Sequence, residues 1–172
     1  MIDGYGRTID YVRISVTDRC NLRCVYCMPE EGVCSISHEE ILRFGEIERV
    51  CQILAENGIQ KIKLTGGEPL VRRRLPELAA ALKQIPGIKS LTITTNGVLL
   101  EEMYDALADA GVDSVTISLD TLDASVYRQL TRRDELEAVR RGLRTAIQKG
   151  RMQIKINCVP VLGIEEQKLL EV

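Results

Sequence analysis

The sequence of 172 residues is about the size of one domain and is long enough to bury a substantial hydrophobic core. Its net charge of −2 argues against nucleic acid as an electrostatic partner, and no apolar run reaches the roughly 20 residues of a membrane-spanning helix. Six cysteines without an apolar N-terminal leader favour a reducing cytoplasm, where clustered thiols indicate metal binding or catalysis rather than disulfide bonds.

The first predicted strand, residues 12–16, leads into a loop in which Cys20, Cys24 and Cys27 have the spacing C-x3-C-x2-C. Three thiolates in a short loop favour an iron–sulfur cluster, because soft iron sites prefer sulfur ligands. No fourth cysteine at close spacing completes the set, so one iron is expected to stay open to a substrate or cofactor. Zinc is the alternative, but a structural zinc site wants four ligands, and the single histidine, His38, is expected in the first turn of a helix.

Strands and helices alternate along the rest of the chain. A capping-box pattern at residues 37–40 predicts the start of the first helix, which Gly58 ends. The further predicted strands are 61–65, 91–95, 114–119 and 153–159, and the further predicted helices are 75–83, 99–109 and 135–149. This alternation predicts an α/β fold with a parallel sheet of about five βα units.

Each predicted strand alternates apolar with polar residues. A parallel sheet covered by helices on both faces would be apolar throughout, so a polar face indicates an open sheet facing water or a barrel with a polar interior. We favour a partial (β/α) barrel, whose interior would carry Arg13, Lys63 and Lys155 on three different strands. Buried cations need anionic partners, which a bound polyphosphate would supply, whereas cations at strand ends would simply be hydrated.

The turn Gly66-Gly67-Glu68-Pro69 directly follows the second strand, at the strand end where barrel enzymes place their active sites. Two glycines let the backbone approach a ligand closely, although such residues also form ordinary turns. This turn and the cysteine loop together resemble the radical S-adenosylmethionine (SAM) enzymes, in which an aromatic residue, here Tyr26, precedes the last cysteine. The resemblance implies that the Gly-Gly-Glu motif holds the SAM amino group and that Ser118 contacts the SAM ribose.

Longer stretches resemble the GTP 3′,8-cyclases of molybdenum cofactor biosynthesis, which are radical SAM lyases. The matching stretches are residues 13–18, 28–29, 64–70, 94–97, 118–120 and 155–157. The resemblance implies a [4Fe-4S] cluster on Cys20, Cys24 and Cys27, SAM contacts from Tyr26, Gly67 and Ser118, and GTP contacts from Arg13, Lys63, Thr94 and Lys155. It identifies no general acid or base in this sequence.

The resemblance also implies that residues 1–172 form one radical SAM core domain. Family members continue through a sixth βα unit and a C-terminal segment whose three cysteines hold a second cluster, a spacing that Cys34, Cys51 and Cys158 lack. We therefore expect this chain to carry the SAM-cleaving half of the enzyme and to be inactive on GTP by itself.

The implied partners are GTP as substrate and a reductant protein as electron donor. The exposed edge of the fifth strand predicts pairing with another chain and so allows a homodimer. Two other functions stay open at this point: a radical SAM enzyme that acts on a peptide or another nucleotide, and a non-catalytic metal-binding domain.

Overall fold

A single parallel sheet with helices forms the framework of the protein, as the computed structural model shows for residues 2–33, 37 and 40–161. Its strands are β1 (Tyr11–Ser15), β2 (Lys61–Thr65), β3 (Ser90–Thr95), β4 (Ser114–Ser118) and β5 (Gln153–Asn157). Its helices are α1 (Phe44–Glu56), α2 (Leu75–Lys83), α3 (Leu100–Asp109), α4 (Ala124–Thr131) and α5 (Leu136–Lys149). None of these helices is long and apolar enough to cross a membrane.

The strands lie in the order β1-β2-β3-β4-β5, and every neighbouring pair is parallel. Consecutive right-handed crossovers carry successive helices to the same face of such a sheet. Accordingly one core joins the aliphatic strand residues, such as Leu64, Ile93 and Ile117, to side chains from α1, α2, α3 and α5. In the described part of the chain β1 and β5 each pair with one neighbour only, so the sheet is an unclosed partial barrel. The predicted fold class is confirmed.

The first helix begins seven residues later than the capping-box pattern predicted. Ser37 and Glu40 do interact, because the Ser37 hydroxyl donates to Glu40 Oε2 at 2.9 Å and the Glu40 amide donates to the Ser37 carbonyl at 3.1 Å. Residues 40–43 are not helical, so these bonds do not begin a helix. The helix starts at Phe44, where the Arg43 amide donates to Glu46 Oε2 at 2.6 Å. The predictions for Cys34 and His38 fall outside the described residues.

The fifth strand ends at Asn157 rather than at residue 159. Its last register partner is Ser118 of β4, after which the Val159 amide donates to the side chain of Asp120 at 2.8 Å instead of to the backbone of β4. A side-chain acceptor thus takes the place of the backbone hydrogen bond between β4 and β5. The neighbouring Cys158 thiol donates to the Asp120 carbonyl at 3.5 Å. The predicted strand was two residues too long, because the alternation of apolar and polar residues cannot reveal a side chain that accepts a hydrogen bond in place of the neighbouring strand.

Helix α4 was missed by the sequence analysis. Asp123 caps it, since its carboxylate accepts from the amides of Ser125 at 2.8 Å and Val126 at 3.0 Å. Its buried residues Val126, Tyr127 and Leu130 recur at helical spacing, so a cap followed by this pattern was a usable signal.

Candidate active site

The residues that follow the five strands converge at the carboxyl ends of the sheet. There the cysteine loop follows β1, the Gly-Gly-Glu turn follows β2, Asn96 follows β3, Asp120 follows β4 and Val159 follows β5. Hydrogen bonds connect these segments across the sheet rather than along the chain. This edge is where βα barrels place their ligands.

The cysteine loop is attached to the C-terminal end of α4. The amides of Arg23 and Val25 donate to the carbonyls of Thr131 at 3.0 Å and Leu130 at 2.9 Å. The last carbonyls of a helix lack partners within the helix, so they are ready acceptors for another segment. The Arg132 guanidinium adds bonds to the carbonyls of Arg23 at 3.1 Å and Met28 at 3.2 Å. A helix that the sequence analysis overlooked therefore positions the predicted cluster ligands.

The three thiols of this loop lie near one another without meeting at one point. Cys20 and Cys24 are partly buried and Cys27 is exposed. Burial, together with the neighbouring Cys20 and Cys27, raises the pKa of Cys24 to about 11. Within residues 2–33, 37 and 40–161, no three His, Cys, Asp or Glu side chains converge closely enough to hold a single metal ion.

The two glycines after β2 pack against the segment that leads into Cys20. The Gly67 amide donates to the Thr17 carbonyl at 2.7 Å, and the Glu68 amide donates to the Arg19 carbonyl at 2.7 Å. A Cβ atom on Gly67 would lie 2.8 Å from the Asp18 carbonyl oxygen and still closer to that of Arg19. Glycine is thus required here for contact with the protein's own backbone, a reason that the sequence analysis did not identify.

Glu68 is a buried carboxylate that joins the end of β2 to the end of β3. It is 1% exposed and accepts hydrogen bonds from the Leu70 amide at 2.9 Å, the Thr95 hydroxyl at 2.6 Å and the Asn96 amide at 2.6 Å. Burial raises its pKa above the ordinary value, and these hydrogen bonds oppose that rise. Because both oxygens are engaged by the protein itself, Glu68 organises the site.

Tyr26 connects the cysteine loop to the end of β4. Its hydroxyl donates to Oδ2 of Asp120, a residue that is 7% exposed, and Oδ1 of Asp120 accepts from the Val159 amide at 2.8 Å. Burial, followed by the hydrogen bond to Asp120, raises the pKa of Tyr26. Ser118 lines the same cavity as Cys24 and Tyr26, whereas Gly67 lies beside the segment that enters the loop. The structure thus brings two of the three predicted SAM contacts into one cavity.

The predicted GTP contacts lie on the polar face of the sheet in neighbouring rows. Arg13 on β1 is the register partner of Lys63 on β2. Thr94 on β3 and Lys155 on β5 are both register partners of Thr116 on β4. Among the described residues, no carboxylate forms an ion pair with Arg13, Lys63 or Lys155. Arg13 and Lys155 are exposed and Lys63 is half-buried, so the described structure does not bury the three cations as predicted.

The chain matches the radical SAM superfamily over residues 14–172. Among curated proteins, the GTP 3′,8-cyclase of Pelotomaculum thermopropionicum is 51% identical over 170 residues, covering 99% of this chain and 52% of the relative. The GTP 3′,8-cyclase of Petrotoga mobilis is 47% identical over 169 residues, covering 98% of this chain and 52% of the relative. The chain therefore spans about half the length of the curated relatives that it matches.

Solved structures share the fold at lower identity. The structure of anSMEcpe with bound AdoMet has a TM-score of 0.73 at 20% identity, covering 94% of this chain and 47% of that chain. Methylornithine synthase (PylB) has a TM-score of 0.73 at 18% identity with the same coverage of both chains, 94% and 47%. These likenesses show that the unclosed five-stranded sheet corresponds to part of a larger fold.

Proposed function

This chain belongs to the radical SAM superfamily, and from that membership we propose that it forms the SAM-cleaving part of a GTP 3′,8-cyclase, a lyase of molybdenum cofactor biosynthesis. Supporting this, relatives of that name are 43–51% identical to it over 98–99% of its length. We assign the reaction to the cytoplasm, with GTP as substrate and a reductant protein as electron donor. In the described chain β5 pairs only with β4, so its other edge can accept a strand from the rest of the enzyme or from a second copy in a homodimer.

Cys20, Cys24 and Cys27 would hold a [4Fe-4S] cluster and leave one iron for SAM. When bound and reduced, the cluster supplies the electron that cleaves SAM into methionine and a 5′-deoxyadenosyl radical. Binding requires thiolates, and burial favours the protonated thiol of Cys24, so cluster uptake releases protons from this loop.

Tyr26, Gly67 and Ser118 would orient SAM beside that iron. The Gly67 amide is already bonded to Thr17, whereas the part of the chain that the structure describes offers no donor to the Gly67 carbonyl. That oxygen is thus an acceptor for an ammonium group, as the family motif requires. Ser118 presents a hydroxyl to the cavity near Cys24, where it would contact the ribose.

The pairing of Arg13 with Lys63 across β1 and β2 carries the proposal for the substrate. Two cations on adjacent strands, with no acidic partner among the described residues, can form a site for a polyphosphate, since guanidinium and ammonium groups bind phosphate oxygens strongly. Lys155 adds a third cation from β5, and Thr94 offers a hydroxyl from β3. These residues bind and orient GTP, and we assign no proton transfer to any of them.

Anaerobic reconstitution of the protein, followed by iron, sulfide and electron paramagnetic resonance measurements, tests the cluster. We expect a [4Fe-4S] signal that changes when SAM is added, whereas zinc without iron would favour a non-catalytic metal-binding domain. For the substrate, an enzyme that contains this chain in full should convert GTP to the 3′,8-cyclised nucleotide. Release of 5′-deoxyadenosine with a peptide but not with GTP would favour another radical SAM activity.

A further inference from the structure

The side chain of Asn96 lies against a predicted cluster ligand from another βα unit. Its Nδ2 atom donates to the Asn21 carbonyl Oδ1 at 2.7 Å and approaches Cys20 Sγ at 3.9 Å. An amide nitrogen carries two hydrogens, so it can serve both acceptors at once. Asn96 follows β3 and Cys20 follows β1, so this contact depends on the folded sheet.

The orientation of the Asn96 amide is determined by its other contacts. Its Oδ1 atom accepts a hydrogen bond from the Val98 amide at 3.0 Å, which directs Nδ2 toward Asn21 and Cys20. Its backbone amide donates at 2.6 Å to the buried carboxylate of Glu68. A flipped side chain would present an oxygen to Asn21 Oδ1 and a nitrogen to the Val98 amide, losing two hydrogen bonds. The donor is thus held toward the sulfur.

The three thiols consequently have different surroundings. Cys20 Sγ accepts from the Leu22 amide at 3.4 Å and is approached by Asn96 Nδ2. Cys24 is next to the Tyr26 hydroxyl. For Cys27, which is exposed, the described residues supply no N–H donor to the sulfur. One ligand of the set therefore receives N–H donors that another lacks.

Hydrogen bonds to a thiolate ligand withdraw electron density from it and raise the reduction potential of an iron–sulfur cluster. We propose that Asn96 is a positioning residue that tunes the cluster through Cys20, by donating its side-chain N–H to the Cys20 sulfur. This inference rests on the proposed cluster at Cys20, Cys24 and Cys27, and it assigns Asn96 no contact with SAM or GTP. The buried carboxylate of Glu68 keeps Asn96 in place, so the Gly-Gly-Glu turn and the cluster ligand are mechanically connected.

The test is the midpoint potential of the reconstituted cluster in two variants. Asn96→Asp keeps the shape and the acceptor for Val98 but replaces the donor with a carboxylate, and Asn96→Ala removes the donor without adding charge. We expect both to lower the potential, the Asp variant more, and to shift the terminal iron–cysteine stretching bands to higher frequency. Asn57→Asp makes the same charge change at the end of α1 and should leave the potential unchanged.

Each outcome is decisive. Variants with full iron content and the parent's potential and stretching bands would overturn the inference while leaving the proposed function intact. If both variants lost iron without any change in their unfolding curves, Asn96 would be required for the cluster to bind at all. That result would also overturn the tuning role. Failure of the unaltered protein to take up a cluster would instead refute the proposed function.

Discussion

The Tyr26 hydroxyl donates a hydrogen bond to the Asp120 carboxylate across a separation of 94 residues in the sequence. Through the other oxygen of Asp120 this bond extends to the Val159 amide beyond β5. One buried carboxylate therefore holds together the cysteine loop and the ends of β4 and β5.

Replacing Tyr26 with Phe should destabilise the protein by about 1.5–3 kcal/mol, because it removes a hydrogen bond to a charged group that is largely shielded from water. The Tyr26→Phe and Asp120→Asn changes should be non-additive, with a coupling energy of about 0.5–3 kcal/mol in urea unfolding. Tyr5→Phe, at a tyrosine that is 88% exposed, is the control and should have no effect. Additive effects at Tyr26 and Asp120 would show that their contact contributes nothing.

Replacing Cys24 with Ala should abolish cluster assembly, because two remaining thiolates cannot hold the cluster firmly. Cys51→Ala is the matched control, since Cys51 is a fully buried core residue of α1. It should leave the iron content per chain unchanged after reconstitution. Equal iron loss in the two variants would contradict the assignment of the ligands.

In an enzyme that contains the whole chain, Lys155→Ala should weaken GTP binding about ten- to a hundred-fold, because one charge-assisted contact is worth about 1.5–3 kcal/mol. SAM cleavage should be spared, since Lys155 lies on β5, away from the cysteine loop. Lys61→Ala is the control, because Lys61 lies at the first position of β2 and its ammonium group forms an ion pair with Asp10 at 2.8 Å. Unchanged GTP affinity in equilibrium binding would contradict the assignment of Lys155 as a GTP contact.

Gly67→Ala should destabilise the protein by about 2 kcal/mol or more, because the added methyl group would force the backbone away from residues 18 and 19. The displaced segment leads into Cys20, so iron uptake should fall as well. Gly45→Ala places the same methyl group in α1, where no atom beyond the neighbouring residues and the helix's own backbone lies within 4 Å, and should stabilise by about 0.5–1 kcal/mol. Destabilisation of equal size at both positions would refute the steric argument.

The buried carboxylate of Glu68 should make stability depend on pH. Because burial raises its pKa above the ordinary value of 4.5, the folded protein keeps this proton when the unfolded chain has lost it, and this contribution to stability decreases as pH rises from 4.5 through the folded pKa. Glu68→Gln should remove that decrease. It should also lower the free energy of unfolding by about 1–3 kcal/mol at every pH, because the glutamine NH2 group would face the Asn96 amide, which is itself a donor.

Glu77 provides the control for this pH dependence, because its contribution to stability changes with pH in the opposite direction. The ion pair with Arg74 lowers the pKa of Glu77, so its contribution is present above pH 4.5 and is lost as pH falls through the folded pKa. Urea unfolding of the parent, Glu68→Gln and Glu77→Gln proteins between pH 3 and 8 compares the slopes. Identical slopes for the parent and Glu68→Gln would contradict the burial effect.

Local patterns predicted much of this fold. Strand β2 and helix α2 have the bounds that periodicity indicated, since their side chains alternate or recur as the buried face requires. The predicted start of α1 was wrong, because Ser37 and Glu40 make the contact that the capping pattern predicts although no helix follows at residues 40–43. Helix α4 was missed because only eight residues carry its signal.

The site was predictable in its motifs but not in its contacts. The cysteine spacing and the Gly-Gly-Glu turn identified the segments that converge, and their ligand roles stay predictions. The bonds from Glu68 to Thr95 and Asn96 depend on neighbouring strands, which residue spacing along the chain does not reveal. The same holds for the contact between Asn96 and Cys20.

The attachment of the cysteine loop to α4 also has a consequence for biosynthesis. Arg132 binds the Arg23 carbonyl across 109 residues, so the loop cannot reach its final position until most of the sheet has been translated. At about 5–20 residues per second, the ribosome synthesises Arg132 roughly 5–20 s after the cysteine loop. During that interval the thiols of the nascent chain are accessible to solvent. We therefore expect iron and sulfide to be inserted only after α4 has left the ribosome.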